Sequence, residues 1–163
     1  METSALQFRE GMSRLGAAVN LITSDGPEGR HGMTASAVCS ITDSPPTLLV
    51  CVNQGNRSHD IFNANGNLCV NVLAGRHEAL SNAFAGRGES ERFKVGEWIQ
   101  LATGAPVLAD AVVAFDCRIV ERRAIGTHSV FYARVEATHL GAQPAETLIW
   151  FGRAYHSLVA APG

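Results

Sequence analysis

This sequence has little net charge, few aromatic residues and no closely spaced pair of cysteines. Its thirteen basic and fifteen acidic residues nearly cancel, which leaves a formal charge of −2. A protein that binds nucleic acid through phosphates usually carries a basic excess, and only eleven Phe, Trp and Tyr residues are present to stack on bases. We therefore expect no nucleic-acid partner.

The four cysteines form no C-x-x-C pair, and each lies in an apolar run. This arrangement is typical of buried free thiols in a reducing compartment, and not of a disulfide framework. The first residues lack the pattern of a secretory signal, and no run reaches the ~18–20 apolar residues that span a bilayer. We expect a cytoplasmic protein with no membrane partner.

Familiar catalytic motifs are also missing. Gly86 and Gly88 are followed by Glu91 where G-x-G-x-x-G requires a third glycine, so the dinucleotide fingerprint is absent. The sequence contains no P-loop and no G-x-S-x-G, and its six histidines lack tight metal-ligand spacing. We expect no metal site, and an enzyme of this kind must depend on a bound cofactor or on binding geometry.

The composition that remains is that of one folded domain. The chain has 163 residues, of which 46% are hydrophobic and 17% charged. At this length folding hides roughly 70% of the surface of the unfolded chain, so a core forms without disulfides. We expect a single domain over residues 1–163.

Hydrophobic periodicity predicts about six or seven strands and three short helices. The helices are expected at 5–15, 59–64 and 77–84, and the strands at 19–24, 33–41, 47–52, 68–73, 111–123, 129–140 and 148–151. The polar segment 86–104 is expected to be a long functional loop or a region ordered by a partner. Most links between strands are too short for helical crossovers, so the predicted fold is mainly β, an antiparallel β-barrel with a few short peripheral helices.

Three stretches carry chemistry of interest. Residues 33–40 alternate small and hydroxyl side chains, which lets a flat ligand approach the backbone, although tight packing against a neighbouring strand explains the pattern equally well. Residues 52–58 place amides, a guanidinium and a hydroxyl before a helix, which suits either an anion site or a solvated loop that caps the helix. Residues 126–128, Gly-Thr-His, present either a histidine that touches a flat ligand or an ordinary surface histidine.

Taken in order along nearly the whole chain, these stretches resemble the short-chain flavin reductase family, whose fold is the flavin-binding split β-barrel. The resemblance begins with Thr-Ala-Ser-Ala-Val-Cys-Ser at 34–40 and Ser-Pro-Pro-Thr-Leu-Leu-Val-Cys at 44–51. Further matching motifs lie at 69–73, 84–86, 91–93, 126–130 and 148–151. Each motif is weak alone, and their ordered combination carries the resemblance.

The resemblance implies a role for each matching residue. The residues implied to contact the flavin are Thr34, Ala35, Ser36, Ala37, Val38 and Cys39 along the isoalloxazine ring, Val52 and Asn53 beside the ribityl chain, Asn56, Arg57 and Ser58 at the phosphate, and Phe84 and Arg92 near the rest of the molecule. His128 matches a histidine that faces the nicotinamide and is the implied catalytic residue, with Tyr155 beside it. Relatives often carry Asp where this chain has Thr127, so no role can rest on that carboxylate.

The family resemblance also implies an activity and partners. The expected reaction is transfer of hydride from NADH or NADPH to FMN or FAD, and the expected product is reduced flavin for a separate monooxygenase. The family forms homodimers with the flavin near the subunit interface. Two alternatives stay open: a flavoenzyme that keeps its flavin and reduces a cob(II)alamin-type corrin, and a non-catalytic flavin-binding protein on the same barrel.

Overall fold

Antiparallel strands form most of the computed structural model, which describes residues 3–86, 91–142 and 146–161. The strands are β1 (Ala17–Ala18), β2 (Asn20–Ser24), β3 (His31–Ala35), β4 (Val38–Asp43), β5 (Pro46–Asn53), β6 (Asn67–Val72), β7 (Trp98–Gln100), β8 (Pro106–Leu108), β9 (Val113–Ile125), β10 (His128–Leu140), β11 (Glu146–Phe151) and β12 (Ala154–Val159). The α-helices are α1 (Ala5–Ser13), α2 (Arg57–Asn65) and α3 (Glu78–Ala85), and single 3₁₀ turns lie at Gly75–His77 and Arg92–Lys94.

A seven-stranded sheet in the order β3-β2-β6-β9-β10-β5-β4 forms the body of the molecule. Its two edge strands, β3 and β4, are consecutive in the chain and are joined only by Ser36 and Ala37. Because two residues cannot cross a flat seven-stranded sheet, the sheet curls until its edges meet. No ladder joins these edges among the described residues, so the barrel is split. The predicted fold class, a mainly β antiparallel split barrel with a few short helices, is confirmed.

The long hairpin of β9 and β10 places one candidate residue. The two strands are joined by Gly126 and Thr127, and Gly126 has φ +57°, as expected for a tight two-residue hairpin loop. Ile125 pairs with His128 across the turn, and on its other side His128 pairs with Asn53 at the end of β5. The hairpin tip therefore lies beside the loop that follows β5.

Three sequence-based assignments need correction. The single strand expected at 33–41 is two strands, since the chain crosses from one sheet edge to the other at Ser36 and Ala37. The loop expected at 86–104 contains a 3₁₀ turn and β7, which pairs with β8, while residues 87–90 lie outside the described part. The strand expected at 148–151 has a partner, β12, that the sequence analysis missed.

Alternation along the buried strands divides the core into two clusters. Leu21 belongs to a cluster with Leu73 and Phe84, whereas the next residue, Ile22, belongs to a cluster with Phe62 and other side chains. Successive side chains of a strand point to opposite faces, so both faces of β2 are covered. All five residues of β2 are buried, and this rigid strand supports β3 at the sheet edge.

The cysteines only partly follow the expectation of buried thiols. Cys69 and Cys117 are buried and Cys51 is half-buried, but Cys39 is exposed because it lies on the edge strand β4. All four are free. Burial raises the pKa of the Cys117 thiol to about 12, and burial also raises the pKa of Cys69 well above its usual value.

This pattern predicts the order of thiol labelling in the folded protein. A disulfide reagent at pH 8 should modify Cys39 first, because the other three thiols are buried or half-buried and burial raises the pKa of each of them. Mass spectrometry of tryptic peptides identifies the labelled residue, with unfolded protein as the control for four reactive thiols. Labelling of Cys117 before Cys39 would contradict the placement of these strands.

No helix in the described ranges combines the length and hydropathy required to cross a bilayer.

Candidate active site

A groove runs along β3, and its larger part is a cavity of about 600 Å³. His31 and Met33 of β3 form its floor, the loop after β5 forms one side, and the end of α3 forms the other. The loop contributes Asn53, Gly55, Asn56, Arg57 and Ser58, the α3 end contributes Phe84, Ala85 and Gly86, and Arg92 completes the lining. The predicted phosphate residues thus share one cavity with Phe84 and Arg92, although these positions are far apart in the sequence.

A second cavity of about 250 Å³ continues the groove, since Ala85 lines both. Thr34, Ala35 and Ser36 line one side of it, and Trp150 and Tyr155 line the other. We call these two cavities together the β3 groove. The structure thus brings the first half of the predicted ring segment next to the predicted phosphate loop.

The second half of that segment faces a different hollow. Ser36, Ala37, Val38 and Cys39 line a cavity of about 830 Å³ that also touches α1. Ser36, at the crossing between β3 and β4, lines both cavities, as does Trp150. A flat ligand along residues 34–39 would therefore lie across the split of the barrel.

The loop at the large end of the groove is folded by its own hydrogen bonds. The Asn53 side chain accepts from the Gly55 amide at 2.8 Å, and the Asn56 side chain caps α2 by accepting from the Ser58 amide at 2.9 Å. The Asn56 amide donates to the Asn53 carbonyl oxygen at 2.9 Å. These three amides are thus already bonded, so the attraction for an anion comes mainly from the side chains and the α2 dipole.

Arg92 brings a second cation to this end of the groove. The side chain is only 9% exposed, and its guanidinium donates to the Gly32 carbonyl oxygen at 3.2 Å and to the Gly86 carbonyl oxygen. The guanidinium carbon Cζ of Arg92 lies 6.0 Å from the centre of the Phe84 ring, within cation–π range. With Arg57 on the facing loop, the cavity has two guanidinium groups, which suits a phosphate-bearing ligand.

Gly32, which is buried between the lining residues His31 and Met33, can pack against Phe84 because it has no side chain. A Cβ atom at this position would lie 2.7 Å from Cε1 of Phe84, a fully covered ring that packs edge-on against Phe93 at 5.1 Å. We predict that Gly32→Ala pushes Phe84 toward the cavity, destabilises the fold by about 1–3 kcal/mol and weakens ligand binding in the groove.

Calorimetry should show that change as a fall in melting temperature of about 2–12 °C for Gly32→Ala. Gly11→Ala is the matched control, since its Cβ would meet nothing within 4 Å. Equal melting temperatures for the two variants would mean that Phe84 does not need the space at Gly32.

At the small end of the groove, two lining residues are hydrogen-bonded to α3. Thr34 donates from Oγ1 to the Ser81 carbonyl oxygen at 2.6 Å, and the Ser81 hydroxyl bonds the Tyr155 hydroxyl at 2.9 Å. The Tyr155 ring packs edge-on against Trp150 at 5.0 Å. Because the Thr34 hydroxyl is engaged with α3, a ligand here meets mainly backbone groups of β3.

Two predicted residues lie away from the groove surface. His128 is not among the described residues that line the three cavities; it stands exposed at the hairpin tip, with Nδ1 2.9 Å from Oγ1 of Thr127. Tyr155 lines the small cavity and His128 does not. The two predicted nicotinamide residues therefore do not line the same cavity within one subunit. Val52 is fully buried in the core, so only its backbone could face a ligand. The roles assigned to these residues stay predictions.

The sequence analysis gave no role to several lining residues, namely His31, Met33, Gly55, Ala85, Gly86 and Trp150. His31 and Met33 alternate with the buried Gly32, and this period of two was the signal that could have extended the strand toward the phosphate loop. The contribution of Trp150 depends on the position of β11 relative to β3, which no local pattern encodes.

Comparison with known proteins agrees with this geometry. Residues 12–159 match the family described as flavin reductase like domain. The chain is 55% identical over 157 residues to the FMN reductase (NADH) RutF of Ancylobacter novellus, covering 96% of this chain and 86% of that protein.

Two solved structures extend the agreement to the fold. A protein of Haemophilus somnus assigned as a flavin reductase superposes with a TM-score of 0.91 at 42% identity, covering 96% of this chain and all of that one. BorF, the flavin reductase component of a bacterial two-component tryptophan halogenase, superposes with a TM-score of 0.89 at 25% identity, covering 97% of this chain and 100% of its own. The sequence motifs, the split barrel and these similarities together establish that the chain belongs to the flavin reductase-like family.

Proposed function

We infer that this chain is an NADH-dependent flavin reductase whose preferred flavin is FMN. The observation that carries this inference is the β3 groove, in which a strand of small residues continues into a cavity with two guanidinium groups. Family membership supports the flavin, and the name of the 55% identical relative supports FMN and NADH as the pair of substrates.

The groove residues fit a flavin mononucleotide. Thr34, Ala35 and Ser36 offer a side without bulk, on which a flat ring can lie against backbone groups. Asn53 would meet the hydroxyls of the ribityl chain, and Arg57 and Arg92, which line the same cavity, would neutralise the phosphate. The remaining assignments are part of the same proposal: Ala37, Val38 and Cys39 along the ring, Val52 beside the ribityl chain, Asn56 and Ser58 at the phosphate, and Phe84 near the rest of the flavin.

Hydride transfer to a flavin requires little acid–base chemistry from the protein. A bound flavin supplies a hydride acceptor, so that NADH, a proton and FMN give NAD⁺ and FMNH₂. No carboxylate is among the described residues that line the groove, which spares an anionic ligand any repulsion there. Trp150 and Tyr155 limit water at the small end, and His128 orients the nicotinamide.

The proposed partners are a second copy of the chain and a separate monooxygenase. The helix α1 buries none of its residues, and Leu6, Phe8 and Leu15 are 76%, 62% and 59% exposed. Such a patch beside the 830 Å³ cavity is typical of a subunit interface, which supports a homodimer. BorF serves a two-component halogenase, which supports delivery of reduced flavin to a partner oxygenase. A single domain over residues 1–163 and a cytoplasmic location belong to the same proposal.

A decrease in absorbance at 340 nm upon addition of FMN to enzyme and NADH tests the proposed activity. We expect oxidation of NADH that depends on added flavin, faster with FMN than with FAD and faster with NADH than with NADPH. No stimulation by any flavin would leave only the non-catalytic alternative. Gel filtration with FMN tests the corrin alternative, since a reductase that supplies free flavin should lose its yellow colour.

A further inference from the structure

A chain of hydrogen bonds connects the first turn of α2 to the loop after β5, and only its central bond is buried. His59, in the first turn of α2, is 6% exposed, and its Nε2 lies 2.9 Å from Oγ of Ser129, which is 1% exposed. Its other ring nitrogen, Nδ1, lies 2.7 Å from Oδ1 of Asp60. Ser129 follows His128 in β10, so these hydrogen bonds join the start of α2 to the hairpin of β9 and β10.

The direction of each hydrogen bond follows from its partners. The Asp60 carboxylate can only accept, so His59 donates from Nδ1 and, in its neutral form, accepts at Nε2. The Ser129 hydroxyl must then donate to His59, which leaves its oxygen to accept from Nε2 of Gln54 at 3.5 Å. The Gln54 amide also donates to the His128 carbonyl oxygen at 2.9 Å. Each of these four hydrogen bonds therefore has one donor and one acceptor.

The order Asp60, His59, Ser129 is that of a hydrolytic triad, but its placement excludes that role. The Ser129 hydroxyl is covered on all sides, so no acyl substrate can reach it. The His59 ring also packs edge-on against Phe131 at 5.5 Å, inside the core. The chain of hydrogen bonds therefore acts as a structural connection.

The connected parts are the two halves of the proposed active site. Gln54 belongs to the loop that lines the phosphate end of the groove, and its backbone amide also donates to the Thr127 carbonyl oxygen at 2.9 Å. His128, the proposed nicotinamide residue, is held through its own carbonyl oxygen by the same Gln54. A shift of the loop toward a bound phosphate must therefore move the hairpin with it.

We propose that Gln54, His59 and Ser129 are positioning residues that couple binding of the flavin phosphate to binding of the nicotinamide. This rests on the proposed function. Energetic coupling is reciprocal, so the phosphate strengthens nicotinamide binding as much as the nicotinamide strengthens binding through the phosphate. Riboflavin, which lacks the phosphate, should fill the groove without ordering the hairpin.

The experiment compares FMN with riboflavin as the flavin. In the unaltered protein the KM for NADH should be about fivefold higher with riboflavin, at the low end of measured coupling factors. His59→Phe keeps an aromatic ring against Phe131 but removes both hydrogen bonds of the imidazole, and it should lower this ratio, while the direct bonds from Gln54 to the hairpin remain. His59→Gln, whose side-chain oxygen can accept from Ser129, should retain most of the ratio. The Kd of NAD⁺ for the flavin-bound protein, measured by flavin fluorescence, should show the same pattern without turnover.

Two further variants separate coupling from general loss of stability. His139→Gln alters a half-buried histidine on the same strand, whose Nε2 bonds the Ala109 carbonyl oxygen at 2.9 Å, and it should keep the full ratio. The double change His59→Phe with Ser129→Ala leaves no unpaired buried hydroxyl, so it carries the test if the single variant fails to fold.

A ratio near one in the unaltered protein, or an unchanged ratio in His59→Phe and the double variant, would overturn the coupling. Loss of the ratio in His139→Gln would also overturn it, since the effect would then be general. Failure of the proposed function has a different signature, which is no oxidation of NADH with either flavin.

Discussion

Replacing Arg57 by alanine is expected to weaken FMN binding by about 10- to 100-fold. A hydrogen bond between an arginine and a phosphate contributes about 1.5–3 kcal/mol, and Arg57 lines the cavity where the phosphate is proposed to lie. Riboflavin has no phosphate, so its affinity should change by less than about twofold. Titration of flavin fluorescence at fixed salt measures both affinities.

A second arginine, outside the groove, serves as the control for the specificity of this effect. Arg14 is an exposed residue of the α1 end that pairs with Glu10 at 3.1 Å, far along the chain from the groove loop, and Arg14→Ala should leave both affinities unchanged. Arg57→Lys should recover part of the loss, because it keeps the charge without the two-pronged geometry. Equal losses for FMN and riboflavin would show that Arg57 supports the loop and does not contact phosphate.

Replacing His128 by alanine is the second large expected effect. We expect the KM for NADH to rise about tenfold, because a lost orienting contact of ordinary strength corresponds to about 1.4 kcal/mol. The affinity for FMN should stay the same, because His128 is not among the described residues that line the groove. Steady-state kinetics at saturating FMN, together with a flavin titration, separates the two quantities.

Thr127 provides an internal comparison for this prediction. Its hydroxyl lies 2.9 Å from Nδ1 of His128, so Thr127→Ala frees the imidazole to rotate and should raise the KM for NADH by less than His128→Ala does. Unchanged constants for NADH in His128→Ala would show that the histidine has no part in orienting the nicotinamide. The protein would then bind the nicotinamide through the Tyr155 end alone.

The sequence was a good guide wherever local pattern decides structure. The expected strand at 111–123 and the expected helix at 59–64 lie within about two residues of β9 and α2, because hydrophobic alternation and the Asn56 cap are local signals. The polar loop before α2 was also correctly predicted as a loop. These features need no knowledge of the remaining chain.

What the sequence could not predict depends on contacts between distant segments. The crossing at Ser36 and Ala37 has no glycine or proline to mark it, and the three residues of β7 are too few for a periodic signal. Cys39 lies in an apolar run, yet it is exposed because β4 is an edge strand. The bond between His59 and Ser129 joins residues 70 positions apart, and only the folded sheet brings them together.

A crystal structure of the protein soaked with FMN tests the central claim most directly. The account predicts a flavin ring against the backbone of residues 34–39, with its phosphate within hydrogen-bonding distance of Arg57. A flavin bound elsewhere on the surface, or a groove closed by side chains in the presence of excess FMN, would contradict it.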